Sequence, residues 1–428
     1  MNWKSLVLLL LLSTTPQAFA ANVSIQGNVF GSPLTITAET TRFAGAIYSV
    51  TFRGKQYINA TDHGRELQSA SSFDNLGECF NPTEAGSAAD ADHVTSSSVL
   101  LSYSISPGVL QTTNNMAFWL APGQPYGRPC SSATTINTAQ NTTVLSGHLL
   151  SKTVTIGYQG IPNVLNYQIS FVPAESHQTA TFEALTGYMP PDFSVFLAYA
   201  PAGRALNRLS DGPGEQPDPV ILATRDGRHA MGVLSYGLPQ PAFPGAGYGR
   251  FRFPDTTKWN CVYRESGIVA GATYNYTCLV AIGSVDEIIS AFNTLVPSSA
   301  AKPLFRFYNG KDHFITPSYD EGAGASYSFE GTAFRVHPSA LDGGMMPLYR
   351  CYAPTSGDHF VSIASNCEGR NFEGQYGYVS SYERPGYAAV YRFFNPSRGD
   401  HLVTTNYAEG AGAAGYVYET VLGYAPVN

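Results

Sequence analysis

The sequence has little charge and no excess of basic residues. Of 428 residues only 13% are charged, and the formal net charge is −7 with a pI near 5.7. A nucleic-acid partner needs a basic surface that neutralises phosphate, so this composition argues against one. The sequence also lacks a basic amphipathic segment of the kind that lies on a membrane. We therefore expect neither nucleic-acid binding nor membrane attachment.

Long apolar runs are also missing. Beyond the N-terminus, no run approaches the roughly 20 residues that span a bilayer. The N-terminus itself carries Lys4, a short apolar stretch over 6–12 and then Ala18-Phe19-Ala20, which is the order typical of a secretory signal peptide. We predict a signal peptide over residues 1–20, no membrane insertion, and a mature protein that is secreted and extracellular.

Cysteine is sparse, but the six residues form an even number in a chain predicted to reach an oxidising compartment. Zinc is the competing interpretation, and it is weakened because the sequence contains no Cys-x-x-Cys pair. Other pairings remain open, but neighbourhood along the chain favours three disulfides: Cys261–Cys278, Cys351–Cys367 and, by what is left, Cys79–Cys130.

Common catalytic motifs are absent as well. The sequence has no Gly-x-Ser-x-Gly, no His-Glu-x-x-His and no phosphate-binding loop. Esterase, zinc-protease and nucleotide chemistry therefore have no support, and we expect no cofactor and no metal ion. Whether the chain is an enzyme stays open at this point.

The pattern from 21 to 296 is that of β-strands. Alternating or β-branched runs such as 46–52, 99–105 and 164–171 are separated by Gly, Pro and Asn clusters. One short amphipathic helix is predicted over 285–295. We predict an all-β chain in which a large β-sandwich over 21–296 is followed by a linker over 297–303 and a second β domain over 304–428.

The second domain repeats one pattern three times. Arg306, Arg350 and Arg392 lie 44 and 42 residues apart, and each is followed by an Asp-His pair and then a Glu-Gly step. A fixed period of this size marks a repeat architecture, and we predict a closed pseudo-threefold, β-trefoil-like domain.

The polar residues of the repeats have two interpretations. They line three shallow sugar pockets, or they form an internal lock in which Arg pairs with Asp and His donates to backbone carbonyls. The candidate ligand-binding residues are Arg306, Asp312, His313, Arg350, Asp358, His359, Arg392, Asp400 and His401.

Two motifs in the first domain carry a family resemblance. The runs 58–68, which contains Asp62-His63-Gly64-Arg65-Glu66-Leu67-Gln68, and 81–86, which reads Asn-Pro-Thr-Glu-Ala-Gly, resemble secreted proteins with the galactose-mutarotase-like supersandwich. The resemblance implies a β-supersandwich and carbohydrate as the partner. Sugar epimerases of that fold use a His and a Glu, for which His63 and Glu84 are the weak candidates here.

The repeats resemble a domain of unassigned function that is often appended to secreted bacterial hydrolases. Repeat two departs from the pattern, because Cys351 replaces an aromatic residue and Cys367 precedes its Glu, so a local disulfide is expected to substitute for packing there.

These observations favour a secreted protein that recognises a poly- or oligosaccharide, mainly through the supersandwich. Arg65, Gln68, Asn81 and Glu84 are the candidate ligand-binding residues, with Arg65 suited to a sugar carboxylate. A scaffold role, in which Arg65 pairs with Glu84, is the alternative. Two other functions stay open: a polysaccharide lyase or sugar epimerase acting on acidic sugars, and a non-catalytic adhesion or structural protein.

Overall fold

The structure is a computed structural model, and it describes residues 22–61, 63–90, 94–201, 204–296, 301–341, 343–384 and 386–426. The predicted signal peptide and the part of the predicted linker over 297–300 lie outside these residues. Among the described residues, no helix is long and apolar enough to cross a membrane.

The described part of the chain is all-β, as predicted, and the first nineteen strands form one antiparallel network. These strands are β1 (Asn22–Val29), β2 (Ser32–Glu39), β3 (Ile47–Phe52), β4 (Lys55–Gln56), β5 (Leu67–Phe73), β6 (Pro82–Thr83), β7 (Val99–Ser106), β8 (Val109–Phe118), β9 (Leu145–Tyr158), β10 (Ile161–Val172), β11 (His177–Met189), β12 (Val195–Ala200), β13 (Ala205–Arg208), β14 (Gly214–Gln216), β15 (Val220–Ala223), β16 (Ala230–Leu234), β17 (Tyr248–Arg252), β18 (Thr257–Ile268) and β19 (Tyr274–Gly283). A 3-10 turn over Gly77–Phe80 lies between β5 and β6.

Alternating burial explains why this network folds into layers. In β1 every second residue is buried, and Phe30-Gly31 with positive φ turns the chain into β2. The buried faces meet in one core around Trp259, Tyr167 and Phe182. The apolar runs of the sequence therefore supply a core large enough for a domain of this size.

The predicted helix is α1 (Val285–Leu295). Ser284 caps it, because its hydroxyl accepts from the Glu287 N–H while the Glu287 side chain accepts from the Ser284 N–H. Its apolar face packs on β-sheet residues on one side and on aromatic residues of the first repeat on the other. The two predicted domains thus share a hydrophobic cluster.

In each repeat the first strand lies between the other two and pairs antiparallel with both. The strands of repeat 1 form a sheet of their own, whereas those of repeats 2 and 3 join through Ser380 and Tyr424 into one six-stranded sheet. Repeat 1 has β20 (Lys302–Tyr308), β21 (His313–Thr316), α2 (Tyr319–Gly324) and β22 (Ser328–Val336). Repeat 2 has β23 (Met345–Ala353), β24 (Asp358–Ser362), a 3-10 turn over Cys367–Gly369 and β25 (Asn371–Ser380). Repeat 3 has β26 (Tyr387–Asn395), β27 (Asp400–Thr404), α3 (Tyr407–Gly412) and β28 (Val417–Pro426).

Equivalent apolar residues from all three repeats meet in one small core. Leu304, Leu348 and Val390 occupy the same position in successive repeats, and all three are fully buried. No single repeat could bury its apolar face alone, so the three repeats stabilise one another.

Three cysteine pairs lie at disulfide distance, and the predicted pairing is confirmed. The Cα atoms are 5.5 Å apart in Cys79–Cys130, 6.6 Å in Cys261–Cys278 and 5.5 Å in Cys351–Cys367.

Candidate functional site

An open cleft of about 580 Å³ lies in the β1–β19 part of the chain. Its floor comes from four neighbouring strands, because β11 pairs with both β5 and β18, and β18 pairs with β17. Arg65, Gln68 and Asn81, three of the four residues predicted to bind ligand in this domain, line it. The structure therefore brings these three residues together around one concave surface.

A β-bulge in β11 shapes the floor. Glu183 and Thr186 are three residues apart and would point to opposite faces of a regular strand. The pairing register of β11 shifts after Glu183 on both of its edges, and the extra residue turns both side chains into the cleft. There the Thr186 Oγ1 donates to Glu183 Oε2 over 2.7 Å.

Lys258 on β18 is the cation beside this carboxylate. Its Nζ lies 2.9 Å from Glu183 Oε2, and the exposed fractions of the two side chains are 11% and 30%. Burial raises the pKa of Glu183, but the Lys258 ammonium and hydrogen bonds from Thr186, Lys258 and Asn260 outweigh burial and leave the pKa lowered. Burial lowers the pKa of Lys258, and the Glu183 carboxylate reverses this and raises it. Glu183 is thus ionised within reach of solvent.

A second carboxyl group, Glu78, lies at the rim with the opposite shift. Burial raises its pKa, and Lys258 and the Asn81 side chain, which donates to Glu78 Oε2 over 3.1 Å, only partly offset this. Two carboxyl groups with oppositely shifted pKa values therefore line one cleft, which is the arrangement that separates acid and base roles in catalytic sites.

Aromatic rings form much of the remaining wall. Tyr188 and Phe251 flank Lys258, whose Nζ lies 5.2 and 5.1 Å from the two ring centroids. Phe251 and Phe253 stack with an interplanar angle of 14°. The aromatic residues that line the cleft are Trp119, Tyr126, Tyr188, Phe251 and Phe253. Such faces are suited to stack against the apolar side of a flat ligand.

Cations outnumber carboxylates among the lining residues. Arg65, Arg128, Arg252 and Lys258 face Glu78 and Glu183. Arg128 donates to the Tyr126 hydroxyl over 2.9 Å, and Arg252 pairs with Asp211 at the surface. Within the lining the cations therefore outnumber the carboxylates, while Arg65 and Arg252 each pair with a carboxylate, Asp255 or Asp211, that lies outside it.

The expected pair between Arg65 and Glu84 is not formed. Arg65 Nη1 instead lies 2.5 Å from Asp255 Oδ2, and the Arg65 side chain is 25% exposed. Glu84 is fully buried and pairs with Lys152 Nζ at 2.6 Å. A carboxylate in the interior needs a buried counter-ion, and Lys152 on β9 supplies it across the sandwich.

His63 and Glu84, the weak catalytic candidates, are both buried, and neither belongs to the described residues that line the cleft. His63 Nε2 lies 2.7 Å from the Arg42 carbonyl oxygen, and its ring meets the Phe43 ring edge-on. Glu84 Oε2 also accepts from the Ser69 N–H over 2.8 Å. Gln68, although in the cleft, uses its Oε1 to accept from the Ala85 N–H.

The Asp-His pairs of the repeats form a closed ring. His359 donates its backbone N–H to Asp312 Oδ1, and its Nδ1 lies 2.8 Å from Asp312 Oδ2. The same two contacts join His401 to Asp358 and His313 to Asp400. Each His thus contacts the Asp of the preceding repeat rather than a backbone carbonyl, which corrects the expected partner.

The arginines form a second ring with the same cyclic offset. Arg306 contacts Glu409 of repeat 3, Arg350 contacts Glu321 of repeat 1, and Arg392 contacts Glu368 of repeat 2, over 2.5–2.7 Å. Each Arg also contacts a Glu of its own repeat, namely Glu330, Glu373 or Glu419. The expected Arg–Asp pairing is wrong, because the three Asp residues lie close together at the centre of the domain and accept hydrogen bonds from the His residues instead. We call the two rings together the inter-repeat lock.

Asp312, Asp358 and Asp400 place carboxylate oxygens within 4.8 Å of one another at the centre of the domain. Three buried carboxylates are a conceivable cation ligand set, but both oxygens of each already accept from a His.

A larger cavity of about 850 Å³ lies where repeat 1 meets the sandwich. Lys55 and Asp192 at its mouth are paired with each other, and none of the predicted site residues lines it.

A family model described as a domain of unknown function (DUF5648) matches residues 303–426, which are the three repeats. No curated protein matches the chain.

Several solved structures are similar to the chain at low identity. A galactose mutarotase related enzyme from Lactobacillus acidophilus is 9% identical, covers 61% of this chain and 97% of its own, and has a TM-score of 0.36. An alpha-galactosidase from Lactobacillus brevis is 10% identical, with 62% and 40% covered and a TM-score of 0.35. A heparan sulfate lyase from Pedobacter heparinus is 7% identical, with 74% and 41% covered and a TM-score of 0.32. Similarity at this level carries no argument about the site.

Sequence reasoning missed Glu183 and Lys258. The one signal for them was a single charge in each of two otherwise uncharged strand segments, 180–189 and 257–263. Glu183 and Lys258 come together because β11 pairs with β18. These strands are more than 70 residues apart in the chain, so no local sequence pattern predicts their pairing.

Proposed function

We propose that the chain is an exported carbohydrate-recognising protein whose cleft binds an acidic oligosaccharide or a segment of an acidic polysaccharide. One observation carries the proposal: aromatic faces and an excess of cationic side chains converge on the same open concave surface. A pyranose ring offers an apolar face to aromatic residues, and a uronate or sulfate group offers charge to Arg65, Arg128 or Lys258.

Arg65 is the residue to test first. It is part-exposed in the cleft, and its partner Asp255 is 61% exposed, so a ligand carboxylate can compete with Asp255 for the planar guanidinium. Arg65→Lys keeps the charge and loses this geometry. We expect binding to a uronic-acid polymer to weaken by roughly 1–3 kcal/mol, with little change in melting temperature.

Arg53→Lys is the matched control. Arg53 is 32% exposed and pairs with Glu287 at 2.7 Å, but it does not line the cleft. Titration calorimetry with polygalacturonate, alginate and heparan sulfate should therefore show a loss for Arg65→Lys alone. Equal affinities for the wild-type chain and both variants, or no binding to any acidic polymer, would end the proposal.

A second candidate function is a lyase or epimerase that acts on an acidic sugar. It is favoured by the oppositely shifted pKa values of Glu78 and Glu183, with ionised Glu183 as the base that abstracts a ring proton and Glu78 as the acid. A lyase leaves an unsaturated product that absorbs in the ultraviolet. Product formed by the wild-type chain but not by Glu183→Gln would support this candidate, and its absence on every acidic polymer that binds would remove the lyase.

A further inference from the structure

The three repeats differ in the residues that pack on the outer face of their strands. In repeat 1, Phe307 packs on Tyr319 with ring centroids 5.4 Å apart, and in repeat 3, Phe393 packs on Tyr407 at 5.5 Å. In repeat 2 the position of Phe307 and Phe393 is taken by Cys351, which is bonded to Cys367. The faces can therefore be compared residue by residue within one molecule.

The face of repeat 1 is covered by the rest of the protein. Phe305, Tyr319 and Phe329 are at most 5% exposed, because they pack with α1 in one hydrophobic cluster. Asp286 of α1 also accepts from the Tyr319 N–H and the Ser318 hydroxyl. In repeat 1, therefore, the outer aromatic face is covered by another part of the same protein.

The face of repeat 3 is built from the equivalent positions and is open. Tyr391, Tyr407 and Tyr418 stand at the positions of Phe305, Tyr319 and Phe329, and we call them the tyrosine platform. Tyr407 lies 5.2 Å from Tyr391 and 5.7 Å from Tyr418 between ring centroids, with Phe393 buried beneath. Tyr407 is 48% exposed and Tyr418 is 43% exposed.

The replacement of Phe by Tyr distinguishes the occupants. Both phenylalanines that α1 covers in repeat 1 are tyrosines in repeat 3. A dry protein interface would leave the added hydroxyls without partners at a cost, whereas a ligand with its own hydroxyls and water would satisfy them. A pyranose has this character, since one face is lined by C–H groups and its rim by hydroxyls.

The charge around the platform argues for a neutral ligand. The charged residues nearest to the platform in sequence are each engaged in an ion pair: Arg392 with Glu419 at 2.9 Å and with Glu368, and Glu409 with Arg306. From these observations we propose that the tyrosine platform of repeat 3 is a second carbohydrate site, which stacks neutral pyranose units and is independent of the cleft. Repeat 2 cannot form the same platform, because it has no aromatic residue between Phe360 and Phe372, where repeat 3 has Tyr407.

Affinity electrophoresis of the full chain in gels containing galactomannan, mixed-linkage β-glucan or xylan tests the proposal. We expect retardation by at least one of these polysaccharides, and about tenfold weaker binding for Tyr407→Ala and for Tyr418→Ala. Tyr418→Phe keeps the ring and should stay within about threefold of the wild-type chain, so it separates lost stacking from lost folding.

Two controls address other sources of the effect. Phe372→Ala removes the exposed ring of repeat 2, which is 57% exposed, and should leave retardation unchanged. Arg53→Lys should also leave it unchanged, since Arg53 lies in neither the platform nor the cleft. The proposal is overturned if no polysaccharide of the panel retards the chain or if the Tyr→Ala variants migrate like the wild type. It is also overturned if light scattering shows a dimer that Tyr407→Ala dissociates, because the occupant is then a second copy.

Discussion

Removing the charge of Glu84 should destabilise the sandwich strongly, although Glu84 lies within the motif that suggested a ligand site. The Glu84 side chain is 0% exposed and its partner Lys152 is 2% exposed, with 2.6 Å between Oε2 and Nζ. Glu84→Gln keeps an oxygen for the Ser69 N–H but leaves the Lys152 ammonium buried without a counter-ion.

The magnitude follows from that burial. Breaking a fully buried pair from one side costs about 3–5 kcal/mol, which corresponds to an unfolding constant roughly 150- to 5000-fold larger. Glu84→Gln/Lys152→Met removes both charges and keeps the volume of the lysine stem, so we expect it to recover at least half of the loss. Asp192→Asn, which breaks the part-exposed pair with Lys55, is the control and should cost about 1 kcal/mol or less.

Urea unfolding followed by tryptophan fluorescence measures this effect in the correct domain. Trp119 and Trp259, the two tryptophans of the predicted mature chain, both lie in the β1–β19 part. A loss below about 1 kcal/mol for Glu84→Gln, or a double variant as unstable as the single one, would refute the reasoning.

Two further predictions concern the histidines and the lock. Burial, aided by the charge of His177, lowers the pKa of His148 to about 4. Below about pH 6.5 this histidine is protonated in the unfolded chain but stays neutral in the folded chain. The free energy of unfolding should therefore fall by about 3 kcal/mol as the pH drops from 6.5 to 4. Urea unfolding of His148→Gln should not show this pH-dependent loss. Asp358→Asn weakens the acceptor of both His401 contacts and should cost about 1.5–3 kcal/mol. Hydrogen exchange over 344–426 measures the loss of stability. Glu373→Gln is the control, since Glu373 is a part-exposed partner of Arg350 within its own repeat. Equal effects of the two variants would contradict the ring of Asp-His contacts.

Local and periodic features of the fold could be predicted from the sequence. The alternation of apolar residues, the cap of α1 and the period of the repeats depend on neighbours within a strand, a turn or one repeat. Cys261–Cys278 and Cys351–Cys367 join residues close along the chain, and their pairing fixed the third by elimination. The resemblance to the galactose-mutarotase-like group, the domain boundaries and the signal peptide stay predictions.

Partners that depend on long-range register could not be predicted. Arg65 and Glu84 are near in sequence, and their pairing was the scaffold alternative to a ligand site. In the structure Arg65 pairs with Asp255 and Glu84 pairs with Lys152, both from distant elements. Glu183 reaches the cleft only because a bulge changes the face to which it points, and the strand pattern does not mark that bulge.

The lock shows a different limit. Its residues were identified by their repetition, but a period is equally compatible with contacts inside each repeat and between successive repeats. The contact of His313 with Asp400 distinguishes the two possibilities, because repeat 1 has no preceding repeat and its His therefore contacts the Asp of repeat 3. Arg306 and Glu409 close the second ring in the same way. The last repeat is therefore required by the first, and a chain truncated before 387 would leave both rings open.

The comparison of the three repeats also explains why their sequences differ where the lock does not require identity. The lock fixes Arg, Asp, His and Glu in every copy, whereas the outer face of each sheet is free to take the residues that its surroundings favour. Repeat 1 meets α1 and carries phenylalanine at both covered strand positions. Repeat 2 carries Cys351, bonded to Cys367, where the other two carry Phe307 and Phe393. Repeat 3 meets solvent and carries tyrosine at both of the strand positions covered in repeat 1, so the outer faces differ according to what each of them meets.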